Sequence, residues 1–396
     1  MVTSVRLVSG KGDFVRRRNS QGKIEQVCLC LYNADFSVGG CISQVPCELI
    51  SEVIAHEGEY AKGNLARYRN EKLDLDKRCD YCYGKGTGKG NWGKVTARDV
   101  DENTRRDFEE KQPGYVRLSK VTEGGHPFYM STLLDFLYLC NEFETKVIFP
   151  TKMLPFGNEG LKKIKLSKEL ITEIPRGEEL AKLLVANKGV LHYSIGYDKF
   201  ESGVVQQGFT NEWRIEQAKR YFKERVNTTL TLVCDVTTSI EENIRKGSSI
   251  DKALFARDKF WIPLRIIPLR INSRKFGYEV TGKRFEELLG VNLSEEQLGL
   301  NLKISEPLRR YQRRPNSTLD PNFLHSDFQK LQNEGVGFCG KIGKLEYCDK
   351  CNLQGKTRIV FPISEIIPVK YDRNPKTSRR AIQRNKKSKD QLKFKF

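Results

Sequence analysis

From Tyr115 to Ile271 the chain alternates short apolar runs with amphipathic stretches, and this rhythm limits the fold more than any other feature. The run Tyr115–Ser119 precedes a helix predicted over Tyr129–Glu142, and Lys146–Phe149 precedes one over Gly177–Ala186. Gly189–Gly196 leads to a helix over Glu212–Glu224. Thr228–Cys234 leads to a helix over Ile240–Lys246 and the short segment Ile250–Ala256, and Ile262–Ile271 closes the series. Strands separated by helices of about ten residues are joined by crossovers, and crossovers make neighbouring strands parallel. In a barrel of such units the chemistry gathers where strand C-termini meet their loops. Here those ends carry Glu123-Gly124-Gly125-His126, Thr151-Lys152, Ser194-Ile195-Gly196 and Cys234-Asp235, a polar and reactive set.

Upstream of the rhythm, Val27–Tyr32 reads as one strand between Gly22 and Asn33. A loop through Cys47, a helix over Glu48–Ala55 with Pro46 near its start, and a charged segment over 56–78 follow. A further helix is expected over Asp99–Glu110. Over residues 272–335 the rhythm fades, and further on the strand-like Thr357–Phe361 leads to a break at Ile367-Pro368. A length of 396 residues suits one α/β barrel with appendages or two ordinary domains. The expected division is a barrel over 1–275, a Cys-containing extension over 276–369 and a basic, disordered tail over 370–396.

Arg78-Cys79-Asp80-Tyr81-Cys82-Tyr83-Gly84 opens a Gly/Lys loop that runs to Gly93. A C-x-x-C turn brings two thiolates to one point, as a zinc knuckle, a redox dithiol or an iron–sulfur half-site requires. Followed by so long an alternation, it favours a cofactor-dependent enzyme over a small zinc module. The N-terminus lacks an export signal and no apolar run approaches the roughly 18 residues of a membrane span. A cytoplasmic chain with no membrane partner is expected, so its eleven cysteines suit metals better than disulfides. A second cluster, Cys339, Cys348 and Cys351, is one ligand short of a closed zinc site, with His325 or an N-terminal cysteine as the fourth. Cys140 reads as a core helix residue.

Charge points to the partner. The net +19 comes from 69 basic and 50 acidic residues. Residues 371–396 hold ten Lys/Arg and two Asp, a net of +8, which leaves +11 for the remainder. Arg309-Arg310-Tyr311-Gln312-Arg313-Arg314 sets an aromatic among guanidiniums. Such a field suits nucleic acid, through counterion release and base stacking; the plainer reading is a basic protein with a solvated tail.

Five features occur in order: Cys-Asp-Tyr-Cys-Tyr at 79–83, Pro150-Thr151-Lys152 at a strand end, His192-Tyr193-Ser194-Ile195, a helix from Arg214 to Arg220, and Asn227–Leu232. In that order the chain resembles the radical SAM superfamily, in its spore photoproduct lyase-like branch, over residues 25–275. The resemblance implies an α/β fold, a partial (β/α)6 TIM-like barrel with a small C-terminal Cys-containing extension. It implies a [4Fe–4S] cluster held by three cysteines, with the fourth iron chelating S-adenosylmethionine, whose reductive cleavage gives a 5′-deoxyadenosyl radical. A dry barrel protects such a radical. An electron donor such as flavodoxin or ferredoxin follows, and, with the charge, a nucleic-acid substrate carrying a modified or damaged base.

One departure matters. The family spaces its ligands C-x3-C-x2-C, and no cysteine lies four residues before Cys79. Cys79 and Cys82 match the last two ligands. The first then comes from Cys41, after Gly39-Gly40, or from Cys47 at a helix start that lowers thiol pKa, with residues 42–78 as an insertion; Cys28 and Cys30 are the remaining alternatives.

By position, the resemblance gives Thr122, Glu123, Gly124 and Gly125 to the methionine amino group, and Lys152 and Ser194 to the carboxylate and ribose. Tyr83 lies against the cluster or adenine. Tyr193 and Cys234 are candidates for relaying a hydrogen atom. Each has a bland reading beside it: an ordinary glycine turn, a solvated lysine, a strand terminus, core packing. His126 and His192 read as satisfied polar residues. Cys339, Cys348 and Cys351 suit a second iron–sulfur cluster or a zinc ion. The rival to an enzyme is a non-catalytic, zinc-containing nucleic-acid-binding protein, whose two C-D-x-C turns share one four-cysteine site.

Overall fold

The structure is a computed structural model. It describes residues 3–9, 14–18, 24–28, 31–38, 96–118, 123–162, 164, 174–198, 201–236, 238–268, 318–319, 325–338, 341–342, 345–346 and 367–368. The alternation builds one sheet from β1 (Val8–Ser9), β2 (Leu31–Ala34), β3 (Tyr115–Leu118), β4 (Lys146–Thr151), β5 (Val190–Ile195), β6 (Asn227–Cys234), β7 (Leu264–Pro268) and β8 (Gly337–Phe338). They lie side by side in chain order. β2 to β8 are parallel, and only β1 runs antiparallel to its neighbour.

That order decides the architecture. Right-handed crossovers between successive parallel neighbours deliver every connecting helix to the same face, whereas a doubly wound sheet reverses its order midway. The edges β1 and β8 do not pair among the described residues, so the barrel is open. It is a partial TIM-like barrel with seven parallel strands, one more than six βα units supply.

The helices of more than one turn among the described residues are α1 (Glu102–Lys111), α2 (Met130–Glu142), α3 (Gly177–Ala186), α4 (Asn211–Lys223), α5 (Ile240–Arg245), α6 (Ile250–Phe260) and α7 (Ser326–Asn333). Strand alternation sorts the sheet residues between its two faces. Val116, Phe149, Leu191, Ile195, Leu230 and Ile266 are fully buried under the helices. Cys140 lies in this core, as expected.

Five expectations are corrected. The run Val27–Tyr32 is not one strand: Ile24–Cys28 pairs with Phe14–Arg18 and with Ile367–Pro368, whereas Leu31–Ala34 is β2 of the main sheet. The Ile367-Pro368 break is thus itself a two-residue strand. The helix expected from Asp99 starts after Asp101. That side chain accepts from the Asn103 and Thr104 amides while its own backbone is extended, and Asp99 ends the strand Thr96–Asp99. The segment Ile250–Ala256 continues to Phe260 and stops where Trp261 turns left-handed, φ 61°. The rhythm also returns late, through α7 and β8, so the stretch after residue 275 supplies an edge strand. The expected helix over 48–55 and strand over 357–361 lie outside the described residues. Among the described residues no helix is long and apolar enough to cross a membrane.

Candidate functional site at the strand ends

Parallel strands bring their C-terminal ends to one edge, so the residues just past β3, β4 and β5 become neighbours. Past β3, the Glu123 carboxylate accepts from the Gly125 amide at 3.0 Å and the Thr151 hydroxyl at 2.5 Å. Its second oxygen accepts from the Lys152 amide at 2.8 Å. The Thr151 hydroxyl in turn accepts from the amides of Met153 and Leu154, which sets the chain's turn out of β4. Lys152 Nζ donates to Glu201 at 2.7 Å, and Glu201 pairs with Arg214 at 2.5 Å. Arg214 reaches back to the Ser194 carbonyl at 3.1 Å. One polar chain, Glu123–Lys152–Glu201–Arg214–Ser194, therefore spans three strand ends.

The first turn of α4 anchors it. Thr210 caps the helix through the Trp213 amide, which fixes Asn211 one turn ahead of Arg214. Asn211 donates to the Gly196 carbonyl at 2.8 Å and to Ser249 at 3.2 Å, and it accepts from Arg214 at 3.0 Å. The end of β5 and the start of α4 are thereby locked together.

Burial dominates the electrostatics. It raises the Glu123 carboxyl above its ordinary range, against the pull of its hydrogen bonds from Thr151, Lys152 and Gly125. Burial likewise raises Asp198, while the nearby Arg214 guanidinium lowers it. Burial takes His126 down to about 3, and its neutral Nδ1 accepts from the Phe128 amide at 3.1 Å. The Glu201–Arg214 pair lies wholly inside, whereas Lys152 keeps 21% of its side chain open at the edge. A positioned ammonium at a strand-end mouth can hold a ligand carboxylate.

The structure brings Glu123, Gly124, Gly125, Lys152 and Ser194 to this edge. Gly125 is explained by protein packing: a Cβ there would meet the Thr151 hydroxyl at 2.2 Å and the Leu154 amide nitrogen at 2.9 Å. Tyr193 and Cys234 are the candidates for relaying a hydrogen atom. Both lie on the helix-facing side, fully buried. The Tyr193 hydroxyl donates to the Leu154 carbonyl at 2.7 Å, and its ring lies 6.3 Å from Tyr221 of α4. Burial raises the Cys234 thiol well above its usual range. Both pack on the face opposite Ser194, since alternate strand positions face opposite sides. Tyr83, Thr122, Cys41, Cys47, Cys79, Cys82, Cys339, Cys348 and Cys351 lie outside the described residues. Among the described residues no three His, Cys, Asp or Glu side chains gather as a metal site.

Sequence reasoning did not single out Glu201 or Asn211. Glu201 sits in a turn with no periodic signature, but Asn211 and Arg214 stand one helical turn apart just after a strand, a spacing that could have flagged them.

No family model and no curated protein matches the sequence. Among solved structures the chain is similar to SuiB of Streptococcus suis bound to its precursor peptide SuiA, with 14% identity over 55% of this chain and 44% of that one, TM-score 0.31. It is similar to SuiB bound to S-adenosylmethionine, with 11% identity, coverage of 59% and 52%, TM-score 0.29. It is also similar to spore photoproduct lyase complexed with dinucleoside spore photoproduct, with 11% identity, coverage of 56% and 60%, TM-score 0.34. The chain thus spans about half the length of these structures. Likeness at this level assigns no activity, and the fold rests on the sheet order and register described above.

Proposed function

We propose that this chain is a radical SAM enzyme acting on nucleic acid. The observation that carries the reading is the polar chain from Glu123 through Lys152, Glu201 and Arg214 to Ser194. It joins at one edge the positions that the order of sequence motifs singles out independently. Cys79, Cys82 and either Cys41 or Cys47 are the residues that would hold a [4Fe–4S] cluster, which, when bound, supplies the electron that cleaves S-adenosylmethionine to a 5′-deoxyadenosyl radical. The donor set at the edge fits a methionine moiety: Lys152, oriented by Glu201, presents a cation to a carboxylate. Glu123 ties the turn after β3 to the end of β4, and Arg214 neutralises Glu201 while holding the β5 terminus through its backbone. The net +19 supports a polyanionic substrate. A flavodoxin or ferredoxin is the class of donor required, and Cys339, Cys348 and Cys351 are assigned to a second cluster or a zinc ion.

The test is anaerobic purification with iron, sulfide and zinc analysis, followed by assay of Cys79→Ala. Expected are a brown protein with broad blue absorbance and loss of 5′-deoxyadenosine formation in the variant, with polyanion binding retained. A colourless protein containing only zinc would establish the non-catalytic nucleic-acid binder instead.

A further inference from the structure

Helices α4 and α6 pack side by side on the helix-covered side of the sheet, away from its inner face. Both end where the chain turns into the next strand, at the opposite end of the sheet from the polar chain. There the sequence gives large rings to solvent. Phe255 is 56% exposed and Trp261 79%. The Phe255 ring meets that of half-buried Phe260 edge-on, with centroids 6.1 Å apart. Lys219 of α4 holds its ammonium 4.4 Å from the Phe260 centroid. Lys259 lies 5.1 Å from the Phe255 centroid and 5.8 Å from that of Phe260. These contacts are within cation–π reach and tie four side chains of two helices into one patch.

Trp261 caps α6 in the left-handed region, at φ 61°. Glycine takes that conformation freely, whereas a bulky residue pays for it. Burial does not offset the cost, because the indole stands in water. Lys188 and Arg225 adopt the same conformation in the turns into β5 and β6, at φ 48° and 64°, and both are exposed. Three successive turns thus present Lys, Arg and Trp along one end of the sheet.

The charge of the patch is not balanced. Residues 219–225 and 255–261 carry six basic side chains against two acidic ones, Glu224 and Asp258. Lys219, Arg220 and Arg257 are paired with carboxylates. Lys223, Arg225 and Lys259 have no carboxylate partner among the described residues. Exposed rings beside unneutralised cations suit a single strand, in which every nucleotide offers a base to stack and a phosphate to pair. An acidic protein would satisfy the cations and set its carboxylates against the rings.

We propose that the ends of α4 and α6 form a stacking platform for single-stranded nucleic acid, with bases on Trp261 and Phe255 and the backbone on Lys259 and Arg225. It shares with the proposed function only the class of partner, and it stands whether or not the chain cleaves S-adenosylmethionine. A strand held here leaves the strand-end edge open.

The experiment uses the full chain and two probes, oligothymidylate and an inorganic polyphosphate of equal charge, which has no bases. Trp261→Gly removes the ring and leaves a residue suited to the left-handed cap, so its circular dichroism melt should show a folded protein. It should bind oligothymidylate about tenfold more weakly, the size of one stacked base, and polyphosphate within about twofold of wild type. Phe255→Ala, at an exposed position, should do the same. Oligothymidylate should quench tryptophan emission, and the quench should be lost in Trp261→Gly although Trp92 and Trp213 remain. Lys259→Gln should flatten the slope of log affinity against log salt by about 0.7. Unchanged oligothymidylate affinity and quench in folded Trp261→Gly and Phe255→Ala overturn the platform. So does an equal loss for both probes, which would leave charge alone. Loss of flavodoxin binding with oligothymidylate binding intact would give the face to an acidic protein and overturns it too. A brown, S-adenosylmethionine-cleaving protein with these variants unchanged sinks this proposal alone. A colourless, inert protein showing the expected losses sinks only the enzymatic one.

Discussion

Glu201 and Arg214 form an ion pair at 2.5 Å with no exposed surface on either side chain. A buried pair of this kind is weak evidence for stability, because desolvation offsets much of the attraction, but breaking it strands a charge. Glu201→Leu, which leaves the Arg214 guanidinium without this carboxylate inside the protein while Lys152 sits at the open edge, should cost about 3–5 kcal/mol, read as a lower denaturant midpoint with an unchanged slope. The double variant Glu201→Leu/Arg214→Met should lose less than the sum of its single changes, since it leaves no unpaired charge inside. Additive losses would mean that the pair acts only through packing.

Glu123 gives a pH signature. Its folded carboxyl lies above the ordinary value of 4.5, chiefly through burial. The group's stabilising contribution is therefore full below pH 4.5 and is lost as pH rises through the raised folded value. Glu123→Gln removes this titration, so the stability of wild type relative to the variant should fall with rising pH across that window. A difference that rises with pH would show that the hydrogen bonds from Thr151, Lys152 and Gly125 outweigh burial.

Gly125 tests the turn. With a Cβ only 2.2 Å from the Thr151 hydroxyl and 2.9 Å from the Leu154 amide nitrogen, Gly125→Ala should cost about 1–3 kcal/mol. Adding Thr151→Ala relieves the closer clash but not the backbone one, so it should not restore the thermal midpoint. Full recovery would place the strain at the hydroxyl alone.

The parts of this fold that the sequence made legible are those with a single periodicity. Helix α3 follows from Leu180, Ala181 and Leu184 on one stripe behind two acidic residues in its first turn. The apolar run around Cys28–Leu31 could not be divided in advance, because its alternation is continuous while its pairing partners belong to two sheets. β8 is only two residues long and carries no pattern of its own. At the site, Lys152 and Ser194 follow from strand ends alone. Glu201 acts by filling buried hydrogen-bonding demand, which leaves no spacing rule to read, whereas Asn211 stands one helical turn before Arg214. That adjacent Tyr193 and Ser194 face opposite sides of β5 follows from strand alternation alone.

The C-terminal segment tests the electrostatics. Deleting residues 371–396 removes ten basic and two acidic residues. On single-stranded nucleic acid the slope of log affinity against log salt should flatten by about 0.7 for each phosphate that the shortened chain no longer neutralises. Cleavage of S-adenosylmethionine should persist. An unchanged slope would exclude the segment as a polyanion arm.

Tyr193→Phe separates packing from chemistry. The hydroxyl donates to the Leu154 carbonyl on the side of the sheet that faces Tyr221, and burial raises its pKa well above the ordinary value. Removing it leaves the ring in place and the carbonyl without this buried donor, at a cost of about 1–3 kcal/mol. Substrate turnover per folded molecule should be unchanged, because the oxygen points away from the inner face. If the variant instead kept its stability and lost substrate turnover while still forming 5′-deoxyadenosine, the phenol would have to reach the substrate. That would demand a route through the sheet from the Leu154 side, and the packing reading of Tyr193 would fall with it.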